Sequence, residues 1–414
     1  GRDTIFAPIK DGNWRKIFLL AVSALICGFF WEMWNFLSLA KWIYSIPFVG
    51  EFKIFEMPVL GFAGYLPFGL ECAVIAQMLA PSDTPVNIRK PSKFPAVVLS
   101  LTAAAILWMP LLHIFFKPRM DDYLSDTSLT CAAREISAHH LDLWLKPDLR
   151  VAEIAKMRGS NAEWDFMGRT FLVLSLANMS LREPERQDDY LMVIDQIIDE
   201  TIRLEKEKGI YYFLMDYARE GKFVSKKKRS LFEDGEIALM IASRRLVREK
   251  DEYKAPLSER VNMMVEYMQE SPVLSGESYP DECWTFCNTV ALTAIRISDV
   301  LDGTDHSVFL SAWVEKAKAR LTHPASGMLI SSYGFDGSHL DGPEGSSIWM
   351  VAHCLQVIDP EYAADQYRRA RKELSESILG FGYAREWPAS WKGHADIDSG
   401  PIIPFLEMSA GSSG

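Results

Sequence analysis

The stretch TFCNTVALTAIRISDVLDGTD, residues 285–305, decides how the larger part of this 414-residue chain is read. Leu292, Ile295, Val300 and their neighbours share one face of a helix. Asp302-Gly303-Thr304-Asp305 then closes that helix with a glycine and opens the next with an Asp or Thr cap. Asp359-Pro360-Glu361 repeats the device, with proline at a first helical turn. Working outward, apolar residues at three- and four-residue spacing predict helices near 128–146, 162–181, 188–208, 229–248, 256–269, 285–301, 306–321, 345–357 and 361–378, with strand-type alternation nearly absent. Successive helix pairs of this size close into a barrel or stack into a solenoid. No repeat of fixed period is found, so residues 121–414 are expected to form an all-α domain, an (α/α)6 barrel.

Upstream the pattern changes. Within residues 1–120, three apolar stretches near 17–39, 58–80 and 94–116 are each about twenty residues long, enough to cross a bilayer. Trp31, Trp34, Trp42, Tyr44, Tyr65 and Trp108 sit near their ends or kinks, where amphipathic rings favour the headgroup level. Arg2, Lys10, Arg15 and Lys16 precede the first stretch, and Arg89, Lys90 and Lys93 lie between the second and third. Lys41, Lys53, Lys117 and Arg119 fall on the other side. This bias predicts a multi-pass membrane region with the helical domain outside the cytoplasm. Glu32, Glu56 and Glu71 are costly at depth unless partnered, and are read either as an intramembrane site or as interfacial and helix-paired groups.

Through Lys117 there are ten Lys or Arg and seven Asp or Glu, against 44 and 55 in the whole chain, so the remainder is strongly acidic. An acidic surface repels phosphate backbones, and the basic run Lys226 to Arg229 is too short for a nucleic-acid footprint. Six cysteines without a paired framework imply no disulfide scaffold. The opening Gly1 and closing Ser412-Ser413-Gly414 suggest that both ends are cut.

The densest reactive cluster is Ser278-Tyr279-Pro280-Asp281-Glu282-Cys283-Trp284-Thr285-Phe286-Cys287-Asn288. Pro280 is expected to turn the chain into a helix on which Cys283 and Cys287 share a face, with Asp281 and Glu282 at its positive end. A thiol there ionises more readily, and a neighbouring carboxyl relays protons. The plainer reading is two buried core cysteines. A zinc site using these thiols with His353 and Cys354 lacks any usual spacing, so neither metal nor cofactor is expected. Further clusters are Glu233-Asp234-Gly235-Glu236; Leu340 to Ser347, which carries Glu344; Tyr383 to Pro388, which carries Trp387; and His394 to Pro401, which carries Asp396 and Asp398. In a helical barrel these loops meet at one mouth, although any single acid is also a natural helix cap.

At these residues the chain resembles the linalool dehydratase/isomerase family. The resemblance runs from roughly Asn161 to Ser412 and is carried by Pro280-Asp281, Cys287-Asn288-Thr289-Val290-Ala291 and Asp302-Gly303-Thr304-Asp305 with Trp313. Weaker matches are Gly235 with Leu239-Met240, Ser331-Ser332-Tyr333, Asp359-Pro360 and Asp396 to Gly400. It implies an (α/α)6 barrel that oligomerises and, without a cofactor, dehydrates or isomerises an allylic terpene alcohol. It further implies that Cys287 stands at the second of the family's two cysteines, with Ser278 at the first and Glu236 at its histidine. A serine is a poorer acid than a thiol, while Glu236 serves as acid or base if desolvation raises its pKa.

The resulting expectation is a membrane-anchored lyase or isomerase acting on a small hydrophobic alcohol. Cys287, Glu236, Asp281, Glu282 and Asp398 are assigned to proton transfer. Ser278, Cys283, Trp284, Tyr333, Glu344, Trp387 and Asp396 are assigned to substrate binding. A carbohydrate-active barrel working with paired carboxylates, and a non-catalytic binding domain, are the alternatives.

Overall fold

The computed structural model describes residues 5–38, 40–44, 52–79, 98–99, 102–106, 129–378 and 380–413. The chain divides into two units, residues 1–100 and 101–414.

In the first unit, helix α1 (Arg15–Leu37) is apolar on every side. Phe18, Ile26, Phe30, Trp31 and Trp34 are exposed, whereas the buried side is marked by Gly28 and Glu32. That inversion suits a helix whose surroundings are lipid rather than water. Helix α2 (Tyr65–Leu79) packs on it closely. A Cβ at Gly28 would lie 2.5 Å from the Tyr65 ring, and one at Gly69 would lie 2.3 Å from the Leu20 carbonyl, so only glycine permits the approach. The Glu32 carboxylate accepts hydrogen bonds from the Tyr44 and Tyr65 hydroxyls, both at 2.8 Å. A two-residue hairpin, β1 (Lys53–Ile54) with β2 (Met57–Pro58), leads into α2. Among the described residues, Arg15–Leu37 and Val59–Ala76 are long and apolar enough to cross a membrane. The third expected span, 94–116, lies largely outside the described residues.

The second unit is mostly helical: α3 (Cys131–Leu145), α4 (Pro147–Ser160), α5 (Ala162–Arg182), α6 (Gln187–Lys208), α7 (Leu231–Val247), α8 (Lys254–Met268), α9 (Thr285–Asp302), α10 (Ser307–Arg320), α11 (Gly345–Leu355), α12 (Pro360–Leu374) and the single turn α13 (Ala410–Ser413). The caps explain the boundaries. The side chains of Asn161, Ser230 and Asp359 accept backbone N–H groups at the heads of α5, α7 and α12, and Gly303, at φ 69°, ends α9 in the left-handed conformation.

Alternate helices touch one another: α5 packs on α7, α7 on α9, α9 on α11, and α11 on α13, while α6, α8 and α12 pack against this inner row. The inner helices are correspondingly apolar; nearly all of α7 is buried, and Gly235 brings α7 against Ala291 of α9. The buried Arg245 is paired with Glu249 and Asp302. The alternation agrees with paired helices, and a closed ring of six pairs goes beyond it.

Three expectations are corrected. The predicted helix 128–146 is followed at once by a second one, α4, which starts on Pro147. The predicted helix 361–378 stops at Leu374, and residues 375–378 form β6 (Ser375–Ile378), paired with β7 (Phe381–Ala384). Cys283 is not on the helix of Cys287: it lies in β3 (Cys283–Trp284), which pairs with β4 (Ser332–Tyr333), itself paired with β5 (His339–Asp341). Thr285 opens α9 only after this strand, so the four-residue spacing of the cysteines is not a helical spacing.

Candidate active site

The inner helices deliver their first turns to one place. Glu163 of α5, Phe232 of α7, Cys287 of α9, Ser346 and Ser347 of α11, and Gly411 of α13 all line a single cavity of about 730 Å³. Helix N-termini carry partial positive charge, so this arrangement favours carboxylates nearby. Met167, Phe171, Met215, Phe286, Trp284, Trp349, Met350 and Ile397 make most of the remaining wall apolar, and Tyr217, Ser278, Tyr279, Asp396 and Asp398 complete it. A second hollow of about 430 Å³, lined by Lys318, Asp359, Asp365 and Arg369 of the outer helices and their loops, holds none of the sequence-derived candidates.

Five candidate residues therefore meet: Ser278, Trp284, Cys287, Asp396 and Asp398. Burial pushes the Cys287 thiol well above its ordinary range, with the Ser278 hydroxyl hydrogen-bonded to it and acting the other way. The thiol is thus neutral at physiological pH. Asp398 has open surface, but that surface faces a concave, largely apolar hollow. Desolvation there, followed by the like charges of Glu163, Asp396, Glu386 and Glu282, raises its pKa to about 7. Asp396 instead ties the loop together, its carboxylate accepting the Ser399 N–H at 2.8 Å.

Glu236 lies in the second turn of α7, behind the cavity wall, 2% exposed. Burial raises it to about 7, the Thr170 side chain opposing. Its charge is felt by both Cys287 and Cys354.

The other candidates are held elsewhere. Asp281 is exposed, has φ 57°, and accepts the Phe335 N–H. Glu282 accepts the Trp284 indole N–H at 2.6 Å, which orients a ring that lines the cavity. Cys283 is buried in β3, and Tyr333 donates its hydroxyl to Ser275 at 2.9 Å. Glu344 and Trp387 are buried beside one another, away from the cavity surface. Among the described residues, no three His, Cys, Asp or Glu side chains are grouped so as to hold a metal ion.

The structure adds residues that sequence reasoning passed over. The Tyr279 hydroxyl accepts the Met215 N–H at 2.9 Å and donates a short hydrogen bond to Glu163. Tyr217 stacks on Tyr279, ring centroids 4.7 Å apart. Burial raises Glu163, while the Tyr279 hydrogen bond pulls it back toward ionisation. The signal was available, because Asn161 caps α5 and puts Glu163 in its first turn, as Cys287 is in the first turn of α9.

Fold and cavity together define a helical domain that gathers carboxyl, hydroxyl and thiol groups around a largely apolar hollow. Residues 230–383 match the family model of linalool dehydratase/isomerase. The match starts at the Ser230 cap of α7 and ends in β7. It is narrower than the resemblance from Asn161 to Ser412, and leaves α5 and the Asp396 to Ser399 loop outside.

Proposed function

We propose that this protein is an acid–base lyase or isomerase of a small hydrophobic alcohol, anchored to a membrane through its first unit. The observation that carries the reading is the cavity itself. It is mostly thioether, aromatic and aliphatic in lining, yet contains three carboxyls, Glu163, Asp396 and Asp398; the charge of Glu163 raises Asp398, and that of Asp396 raises both Asp398 and Glu163. Neighbouring carboxyls of this kind do not all ionise near neutrality, so one holds a proton while another accepts one. Tyr279 donates to Glu163 and so favours its ionised form, which leaves Asp398 as the acid.

In the elimination, the C–O bond breaks with its electron pair going to oxygen, which takes the Asp398 proton and departs as water. Glu163 removes a proton from the adjacent carbon, and that electron pair forms the new double bond. The Cys287 thiol and Ser278 hydroxyl face the same space as neutral groups, suited to orienting the alcohol or passing a proton. Glu236, behind Cys287, is placed to influence the thiol rather than to touch substrate. Pockets of roughly 300–1,000 Å³ hold compounds of this size, and a poorly soluble alcohol is concentrated at a bilayer.

The carboxyls also suit a glycosidase, but most of the cavity's exposed surface is apolar rather than the polar surface a sugar needs. The test is to incubate membranes carrying the protein with monoterpene and longer isoprenoid alcohols and to follow dehydrated and isomerised products. Absence of turnover across the series, in protein shown to be folded, would sink the proposal.

A further inference from the structure

We infer that the cavity also takes an apolar organic cation, an alkylammonium ion whose positive head is held by the carboxyls of Glu163, Asp396 and Asp398 and whose hydrocarbon tail lies against the aromatic and methionine wall. This concerns what the cavity binds, and it stands apart from the reaction proposed above.

The charge of the lining is one-sided. Among the described residues that line the cavity, three carry carboxyls and none is Lys, Arg or His. The charges that act most on Asp398 are all carboxyls, those of Glu163 and Asp396 in the wall and those of Glu386 and Glu282. Carboxyls gathered in this way, with no base in the wall, leave negative charge that a cation in the hollow neutralises. The helix starts offset it only in part, because they are capped within the protein. Asn161 accepts the Glu163 N–H at 2.8 Å on α5, Ser230 accepts the Glu233 N–H on α7, and the Glu386 carboxylate accepts the Ser346 N–H at 3.1 Å on α11. The last of these caps brings a negative charge of its own.

The rest of the wall suits the same occupant. Seven of the lining residues are aromatic, Tyr217, Tyr279, Trp284 and Trp349 among them, and three are methionines. Aromatic faces carry negative potential and attract ammonium groups, and thioethers are polarisable. Tyr279 joins the two kinds of wall. Its ring stacks on that of Tyr217, with centroids 4.7 Å apart and planes 13° from parallel, and its hydroxyl donates to Glu163.

Other occupants fit less well. An anion meets only like charge. A metal ion needs several oxygen ligands on one point, and among the described residues no three acidic, His or Cys side chains are grouped so as to supply them. A small hydrated cation leaves the apolar wall uncovered. An alkylammonium ion answers both the carboxyls and the wall, and about 730 Å³ gives its tail room.

The test titrates the full chain in lipid nanodiscs with decyltrimethylammonium, decanol and decyl sulfate, each below its micelle concentration, with empty nanodiscs as the reference. The ammonium ion is expected to bind at least about tenfold more tightly than decanol, and the sulfate not to bind. Equal affinity for ion and alcohol, or binding of the sulfate, overturns the inference. Decylphosphocholine separates a free ammonium ion from a lipid head group. Its phosphate should exclude it, and binding as tight as that of the ammonium ion overturns the role given to the carboxyls.

Glu163→Gln and Asp398→Asn are each expected to lose most of the preference for the ion while still binding decanol; a preference unchanged in both overturns the inference. The probes on the unaltered chain decide the matter even where a variant fails to fold. Affinity for the ion should also rise as pH is raised through about 7, where Asp398 ionises. The groups that face Asp398, namely Glu163, Asp396, Glu386, Glu282, Tyr217 and Cys287, bring no positive charge to oppose this. Affinity that falls over that range overturns the inference. An ion bound by a chain that turns over no alcohol removes the proposed function and leaves this inference standing, and turnover of an alcohol without binding of the ion does the reverse.

Discussion

Two sets of residues line the cavity. Ser278 and Cys287, both inside the matched stretch 230–383, present a hydroxyl and a thiol that stays neutral, and Glu163 at the head of α5 with Asp396 and Asp398 before α13, all outside that stretch, present carboxyls. The family resemblance points to the thiol set, and the electrostatics point to the carboxyl set. A buried thiol far above its ordinary pKa is a slow acid and no base at neutral pH, whereas a carboxyl near 7 exchanges protons readily. The comparison teaches that a matched motif can mark where a cavity lies while the reactive groups lining that cavity also come from outside the motif.

The sharpest way to break this comparison is to disable each set in turn. Asp398→Asn is expected to lower kcat by about 10²–10⁴-fold, the usual worth of a positioned acid or base. Cys287→Ala is expected to cost clearly less. A larger loss for Cys287→Ala in steady-state assays would reverse the assignment, and full activity would leave the thiol without a role.

The next test is pH. Asp398 must be protonated to act, so activity is expected below its pKa of about 7 and should decline above it. The alkaline limb of kcat/KM should disappear or move in Asp398→Asn and survive in Cys287→Ala. An unchanged limb in the first variant would assign it to another group.

A third expectation concerns stability. Glu236 is raised in the fold from 4.5 to about 7, so the folded state binds the proton more tightly than the unfolded state. Its contribution is fully present below about pH 4.5 and is lost as pH rises through 7, which amounts to up to about 3 kcal/mol. Glu236→Gln should therefore raise Tm at pH 8 and leave it nearly unchanged at pH 4.5, as read by thermal denaturation. Equal shifts at both values would contradict the burial.

The smallest effect is expected from Ser278→Cys, which restores a second thiol beside Cys287. Turnover of an allylic alcohol should rise modestly rather than fall. A steep loss would show that the hydroxyl is needed as such.

Much of the helical framework was legible in the sequence because its punctuation is local. Gly303 and Asp359-Pro360 mark their boundaries through backbone preferences that operate within a few residues. α4 was missed because its apolar face is weak and it begins on a proline that also reads as a break. Cys283 was misplaced because β3 is two residues long and owes its existence to β4, some fifty positions away, which no window along the chain contains. The same limit applied to the site. Cys287, Ser278 and Asp398 stood out as reactive types in loop-flanked clusters, but Glu163 looked like an ordinary helix-start acid until the fold set Tyr279 against it. Glu344 and Trp387 had the right composition for a cavity wall, and only three-dimensional packing set them behind it.

The gathering of the inner helices' first turns around one hollow gives each helix two tasks. Later turns are locked into the interior, and the leading turns, buried as well on α7 and α9, also present side chains to the hollow. Exchanges there can reshape what the hollow holds, provided each fits a packed turn. That makes positions 163, 232, 287 and 346 the natural starting set for refitting this scaffold to a different ligand.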